Sequence, residues 1–441
     1  MIVLKFGGTS VGSATNIKKV AAIVNNCNER MIVVLSAVSG TTNALAKIHT
    51  LLSENKKNDA KDVIDQLELN YLDLLDALYT SEYHQLKALT FIRNRFDHLR
   101  TLAANDENEI LAQGELISTH LFQLYLTELN IDSELHTAFG FMSIDKNGEP
   151  ETSKIKSKLS EILLKSTKNI IITQGFICHD QDGNIANLKR GGSDYSASLI
   201  GAAIKAKEIQ IWTDIDGMHN NDPRFVENTF SIDEISFDEA AELAYFGAKI
   251  LHPQSVIPAK ENNIPVLLKN TFNPNGKGTI IKNCSSSIGV RAIAAKDGII
   301  AMKIKSYRML MAYGFLKNIF EVFEKYQTAI DMITTSEVAV SLTIDNPKHL
   351  EKITQELNSF GKVEIDTNMS IICLAGDFSQ NEKGVSAKVL SCLENISIRM
   401  ISYGGSNYNI SLLVDTNDKI EALNSLNKGL FSTTPQLLQE V

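Results

Sequence analysis

Up to about residue 285, short apolar runs alternate with stretches of helical periodicity. That alternation restricts this part of the chain to an α/β fold with a mainly parallel sheet, covered on both faces. The runs are 2–6, 31–35, 170–173, 208–212 and 264–269. The first four lead into small, polar or glycine residues: Gly7-Gly8-Thr9-Ser10, Ser36-Ala37-Val38-Ser39-Gly40-Thr41-Thr42, Gln174-Gly175-Phe176 and Thr213-Asp214. Open sheets of this kind take their ligands outside the carboxyl ends of the strands. The alternative for any single Ser or Thr here is a turn followed by a helix cap.

Two glycine turns carry more than punctuation. After 2–6, Gly7-Gly8 leads to a helix whose apolar face is Ile17, Val20, Ala21 and Val24. Strand, glycine turn and helix in that order make an anion cradle of backbone N–H groups, and Lys5 enters it from the strand end. The spacing is not that of a Walker A loop, and a plain strand-to-helix turn is the competing reading. The second is Lys189-Arg190-Gly191-Gly192-Ser193-Asp194, opening a small-residue helix. Arg190 can grip a carboxylate or phosphate bidentately. Asp194 can serve as an ordinary N-terminal helix charge. Between the two turns, 44–129 is mostly helical, with one stripe through Val63, Leu67, Tyr71, Leu74 and Leu78 and another through Ile110, Leu111, Ile117, Leu121 and Leu124. Gln113-Gly114-Glu115 interrupts it. Glycine inside a helix costs about 1 kcal/mol against alanine, which suits the close approach of a ligand or another backbone. Alone, a glutamate such as Glu115 is more often a solvated helix residue.

The 441 residues suffice for several domains with ample core, and the net charge of −9 argues against a nucleic-acid footprint. An acidic protein that handles anions must place its positive charge locally. The five cysteines are scattered and show no zinc spacing, as expected of buried thiols in a reducing compartment. No run of 18 apolar residues and no signal peptide is present, so a soluble cytoplasmic protein without membrane contact is expected.

Beyond Ser285-Ser286-Ser287 the pattern changes to short strands alternating with single helices, and it repeats. Ile330-Asp331-Met332-Ile333 followed by Ser341-Leu342-Thr343-Ile344-Asp345 parallels Ile398-Arg399-Met400-Ile401 followed by Ser411-Leu412-Leu413-Val414-Asp415. Two βαββαβ modules fit the remaining length. The expected division is 1–290 for a catalytic domain, 306–375 for a first module and 376–441 for a second, completed by a strand at 298–304.

Taken in order, Lys5-Phe6-Gly7-Gly8-Thr9-Ser10, Gln113-Gly114-Glu115, Arg190-Gly191-Gly192-Ser193-Asp194, Trp212-Thr213-Asp214 with Asp222-Pro223-Arg224, Gly247-Ala248-Lys249 and the tandem tail resemble the aspartate kinases of the amino-acid kinase superfamily. The tail is similar to paired ACT domains. Tyr313-Gly314-Phe315-Leu316 and Asp331-Met332-Ile333-Thr334-Thr335-Ser336-Glu337-Val338 resemble the monofunctional, lysine-inhibited type.

The resemblance implies an amino-acid kinase fold followed by two ferredoxin-like ACT modules. It implies phosphorylation of the aspartate side-chain carboxylate by MgATP, the first step toward lysine, threonine and methionine, under feedback by lysine. It assigns Lys5 to the phosphates beside Gly7, Gly8 and Ser10, and Asp194 to orienting Lys5 or the metal shell. Arg190 would clamp the substrate α-carboxylate and Glu115 its ammonium, with Thr42, Phe176 and Ser193 lining the pocket and Ser36 near the transfer point. Thr213, Asp214, His219, Arg224 and Lys249 would hold the nucleotide. Mg²⁺ would be held mainly through the phosphates, with no dedicated protein ligand set. Met309, Ala312, Gly314, Phe315, Leu316, Asp331, Thr335, Ser336, Glu337 and Val338 would form the effector site. His219 replaces a usual tyrosine beside the adenine, and Ala312 a usual serine.

Asp331 aligns with Arg399 of the second copy. If Asp331 holds a cationic effector, only the first module can, and the second builds an interface; a strand-end cap is the alternative role for Asp331. A homodimer or dimer of dimers through the modules is expected. The other readings are an inactive amino-acid sensor of the same fold, or a kinase with another acceptor.

Overall fold

The computed structural model describes residues 1–188, 191–247, 251–284, 289–306, 313–378 and 383–431. They form two compact units. One comprises 1–218, 231–237 and 250–284; the other comprises 219–230, 238–249 and 285–441.

The first unit holds β1 (Ile2–Phe6), α1 (Ala14–Asn25), β2 (Met31–Leu35), α2 (Thr41–Ser53), α3 (Lys57–Leu78), α4 (Glu82–Thr101), α5 (Glu107–Glu128), β3 (Ser133–Leu135), α6 (Thr152–Lys165), β4 (Ile170–Gln174), the hairpin β5 (Ile177–His179) and β6 (Ile185–Asn187), α7 (Gly192–Ile204), β7 (Ile209–Thr213), β8 (Glu234–Ser236), α9 (Ile257–Glu261), β9 (Val266–Asn270) and β10 (Thr279–Lys282). Helix α8 (Phe237–Tyr245) starts here and otherwise lies in the second unit. The sheet order is β3-β4-β2-β1-β7-β9-β10-β8. The strands from β3 through β9 are parallel, while β10 runs antiparallel to β9.

Strands β1, β2 and β4 are buried almost throughout, which explains their unbroken apolar character. From β1 the chain moves to β2 on one side, and β7 later joins on the other. The turn after β1 therefore lies at a topological switch point. Leu67, Tyr71, Leu74 and Leu78 of α3 are buried as their spacing predicts, with Ile64 in place of the half-buried Val63.

The second unit contains β11 (Gly289–Lys305), α10 (Phe315–Lys325), β12 (Ile333–Thr335), β13 (Ala339–Ile344), α11 (Leu350–Leu357), β14 (Lys362–Asp377), α12 (Val385–Ser391), β15 (Ile398–Tyr403), β16 (Asn409–Asp415) and α13 (Lys419–Phe431). One six-stranded sheet runs β12-β13-β11-β14-β16-β15. Two modules share it by exchanging strand halves. In β11, 300–305 pairs with β13 of the first module, while 289–296 pairs with 371–377 of β14, which pairs in turn with β16 of the second.

This corrects one expectation. Residues 298–304 do not complete the second module; 289–296 does. Ile300, Met302 and Ile304 join the first module's core with Ile319 and Phe323 of α10, whereas Ile293 joins the second's with Val389 and Leu426. The crossovers are register shifts beside Gly298 (φ 76°) and Asn368 (φ 60°), bulges that turn a continuous strand from one module into the other.

Candidate active site

Lys5 points from β1 to the first turn of α7, where its ammonium lies 2.6 Å from an Asp194 carboxylate oxygen, both groups largely shielded from water. Gly191 (φ 69°) and Gly192 (φ 49°) take left-handed backbone that begins α7, conformations open to glycine and strained for most residues. Gly175 permits the next contact, since a Cβ there would sit 2.4 Å from that of Ser193. Phe176 follows with φ 66°, its amide donating to Ser196 Oγ at 2.8 Å. A bulky residue held left-handed is strained, and such strain concentrates at functional sites.

The turn after β1 differs from a bare cradle. The Gly7 amide donates to the Trp212 carbonyl at 3.2 Å, and α1 begins only at Ala14, capped by the Ser13 side chain. Ser10 is fully buried, with its hydroxyl donating to the Trp212 carbonyl at 3.2 Å and 2.7 Å from the Thr271 hydroxyl. Ser10 thus ties the turn to the ends of β7 and β9. Gly8 is where space matters, because a Cβ there would lie 3.1 Å from the Ala37 carbonyl.

Ala37 joins this turn to the acidic side. Its amide donates to Glu115 Oε1 at 3.2 Å, and its methyl lies where a side chain on Gly114 would be, 2.7 Å away. Gly114 therefore serves the approach of the β2–α2 turn to α5. Glu115 is 4 % exposed, and its Oε2 has no partner among the described residues. Burial pushes its carboxyl up to about 7, against the lowering effect of the Ala37 amide. Ser36 lies beside it, its carbonyl accepting from Ser118 Oγ at 2.7 Å, and Thr42 is exposed in the first turn of α2. Spacing gave no cue to Ala37 and Ser196, which act through a backbone amide and a helix-internal hydroxyl.

Thr213 and Asp214 end β7, with the Thr213 hydroxyl donating to Asp214 at 3.0 Å. His219 and Arg224 belong to the second unit. His219 Nδ1 lies 3.4 Å from the Thr229 hydroxyl. Arg224 is 76 % exposed and held by Asp222 at 2.6 Å. Arg190, Lys249, Met309 and Ala312 lie outside the described residues. No group of three or more His, Cys, Asp or Glu that could hold a metal occurs among the described residues, and no described helix is long and apolar enough to cross a membrane.

Among the described residues, the expected effector positions lie on separate elements. Gly314, Phe315 and Leu316 start α10, while Thr335 to Val338 form the β12–β13 turn, whose Val338 carbonyl accepts from the Ser306 amide at 2.9 Å. Asp331 stands at the opposite end of β12, where its amide donates to the Thr343 carbonyl. It is already paired: Lys296 Nζ and the Tyr245 hydroxyl each reach Asp331 Oδ1 at 2.9 Å.

Comparison with known proteins agrees with this architecture. The amino acid kinase family model matches residues 1–270, and an ACT domain model matches 372–430. Lysine-sensitive aspartokinase 3 of Escherichia coli K12 is 32% identical over 98% of this chain and 99% of its own length. The chain belongs to the aspartokinase family. Chloroplastic aspartokinase 1 of Arabidopsis thaliana is 33% identical, with 98% of this chain and 80% of the relative covered. The E. coli aspartokinase III structure in complex with lysine and aspartate matches with a TM-score of 0.83 at 31% identity, covering 98% of this chain and 99% of that one. The structure of that enzyme with aspartate and ADP matches with a TM-score of 0.81 at 32% identity, covering 98% and 100%.

Proposed function

We propose that this chain transfers the γ-phosphoryl group of ATP to the side-chain carboxylate of L-aspartate, giving 4-phospho-L-aspartate and ADP. One observation carries the reading beyond family membership. The Lys5–Asp194 pair and the buried Glu115 carboxyl stand at the carboxyl edge of the same parallel sheet, and the β1 turn is linked to Glu115 through Ala37.

The acceptor carboxylate is ionised at neutral pH, so no general base is needed. Catalysis then reduces to alignment and to neutralising charge on the transferring group. Lys5 supplies that charge, and Asp194 fixes its ammonium. Glu115 pairs with the substrate ammonium. Arg190 takes the α-carboxylate, with Ser36, Thr42, Phe176 and Ser193 shaping the acceptor side. Thr213 and Asp214, with His219, Arg224 and Lys249, serve the nucleotide. Gly8 lets the turn approach closely, whereas Gly7 and Ser10 hold it in shape. Bound Mg²⁺ supplies further charge neutralisation at the phosphates; with Asp194 the only carboxylate assigned to this cradle, the residues suit a metal held through the nucleotide.

Lysine acts as effector through the first module. Among the described residues the sheet has β12 and β15 as its end strands, which suit a homodimer or dimer of dimers.

The test is hydroxylamine trapping of the acyl phosphate. The β-hydroxamate is expected only when ATP, Mg²⁺ and aspartate are all present. ADP release without hydroxamate, or hydroxamate from glutamate or N-acetylglutamate in place of aspartate, contradicts the reading.

A further inference from the structure

Helix α8 is tethered to both modules along one face. Near its C-terminal end the Tyr245 hydroxyl donates to Asp331 Oδ1 at 2.9 Å. Three residues earlier, Glu242 accepts from Ser406 Oγ at 2.8 Å and Asn409 Nδ2 at 2.5 Å. That spacing places both side chains on the same helix face. Phe246 anchors the end among Met332, Met369 and Met400.

The Asp331 end of this tether is electrically incomplete. Lys296 pairs with Asp331 at 2.9 Å and Asp345 at 2.8 Å, and its ammonium stands 4.8 Å over the Tyr245 ring. Two carboxylates therefore face one ammonium. The Asp331 side chain is 1 % exposed, yet its Oδ2 has no partner among the described residues. Burial alone would lower Lys296, but hydrogen bonds to Asp345 and Asp331 outweigh it and keep the group charged. Burial, with Asp331 beside it, pushes Tyr245 up to about 12, so it stays a neutral donor. The second module lacks this arrangement at the matching position. There Arg399 meets Asp366 at 2.6 Å, and both groups are part-exposed.

We infer that Tyr245 is a positioning residue that reports occupancy of Asp331 to helix α8. An ammonium ligand arriving at Asp331 draws its carboxylate away from the Tyr245 hydroxyl. The end of α8, which continues directly into Gly247-Ala248-Lys249, is released. Lys296 is the resting counter-ion of Asp331 until then. The inference rests on the proposed role of Asp331 as the effector's cation site.

The experiment compares the full-length chain with Tyr245→Phe, which keeps the ring and deletes the hydroxyl. Lysine binding is measured by calorimetry, and kinase activity without lysine and at saturating lysine. In Tyr245→Phe, lysine binding persists or tightens, because no hydroxyl has to be displaced. The ratio of uninhibited to inhibited activity falls by about fivefold or more, the lower range of an allosteric coupling. A purely structural role would lower thermal stability and leave that ratio unchanged. An unchanged ratio in a variant that binds lysine overturns the coupling alone. If the unaltered chain neither binds lysine nor is inhibited by it, the effector reading fails and the coupling fails with it.

Discussion

Lys5 carries its charge into a place shielded from water, and Asp194 keeps it there. Glu115 is the opposite case, a buried carboxyl with one oxygen unpaired among the described residues. Its carboxyl titrates at about 7, against an ordinary 4.5. As pH rises from about 4.5 to about 7, the unfolded chain loses this proton while the folded chain keeps it. Glu115 therefore lowers stability across that window. A substrate ammonium favours the ionised form, so aspartate binding releases a proton there and weakens as pH falls below about 7. KM for aspartate should rise on that side. Glu115→Gln should raise KM at pH 8 by the equivalent of about 2–5 kcal/mol, as when one partner of a buried charge pair is lost, and flatten the pH profile while changing kcat little. KM measured against pH for both proteins checks this; an equally steep profile in the variant excludes the role. The charges themselves were legible in the sequence through their glycine neighbours. Ala37, the partner of Glu115, was not, because a backbone amide leaves no trace in spacing.

Helix α5 approaches the β2–α2 turn closely only because Gly114 has no side chain. A methyl there would lie 2.7 Å from Ala37 Cβ and 3.3 Å from Thr41 Cγ2. In an open helix, alanine would gain about 1 kcal/mol; in this contact, overpacking costs about 1–3 kcal/mol. Gly114→Ala is therefore expected to lower the thermal midpoint and, by moving Ala37 off Glu115, to raise KM for aspartate. A more stable variant with unchanged KM would show that the contact is not tight.

Strands β11 and β14 each run through both modules. The strand was expected to span only 298–304, starting at Gly298. In the fold its left-handed glycine makes a bulge within one continuous strand. A local signal for left-handed backbone does not distinguish a turn from a bulge. Only the partner strand decides.

At the scale of the whole molecule, the alternation of strands and helices was enough to give the parallel sheet, and the internal repeat was enough to give two modules. Their exchange of strand halves was not legible, because it depends on pairing between segments about seventy residues apart. The pairing of Lys296 with Asp331 was hidden for the same reason: it joins a strand of one module to the edge of the other. In the proposed reaction, Lys5 serves the phosphoryl group and Glu115 the acceptor at the sheet's carboxyl edge. An interaction that matters most in the transition state shows in kcat and not in ground-state binding. Steady-state kinetics of Lys5→Ala test this most directly. The account predicts a fall in kcat of about 100- to 1,000-fold with KM for aspartate nearly unchanged; a rise in KM at undiminished kcat would contradict it.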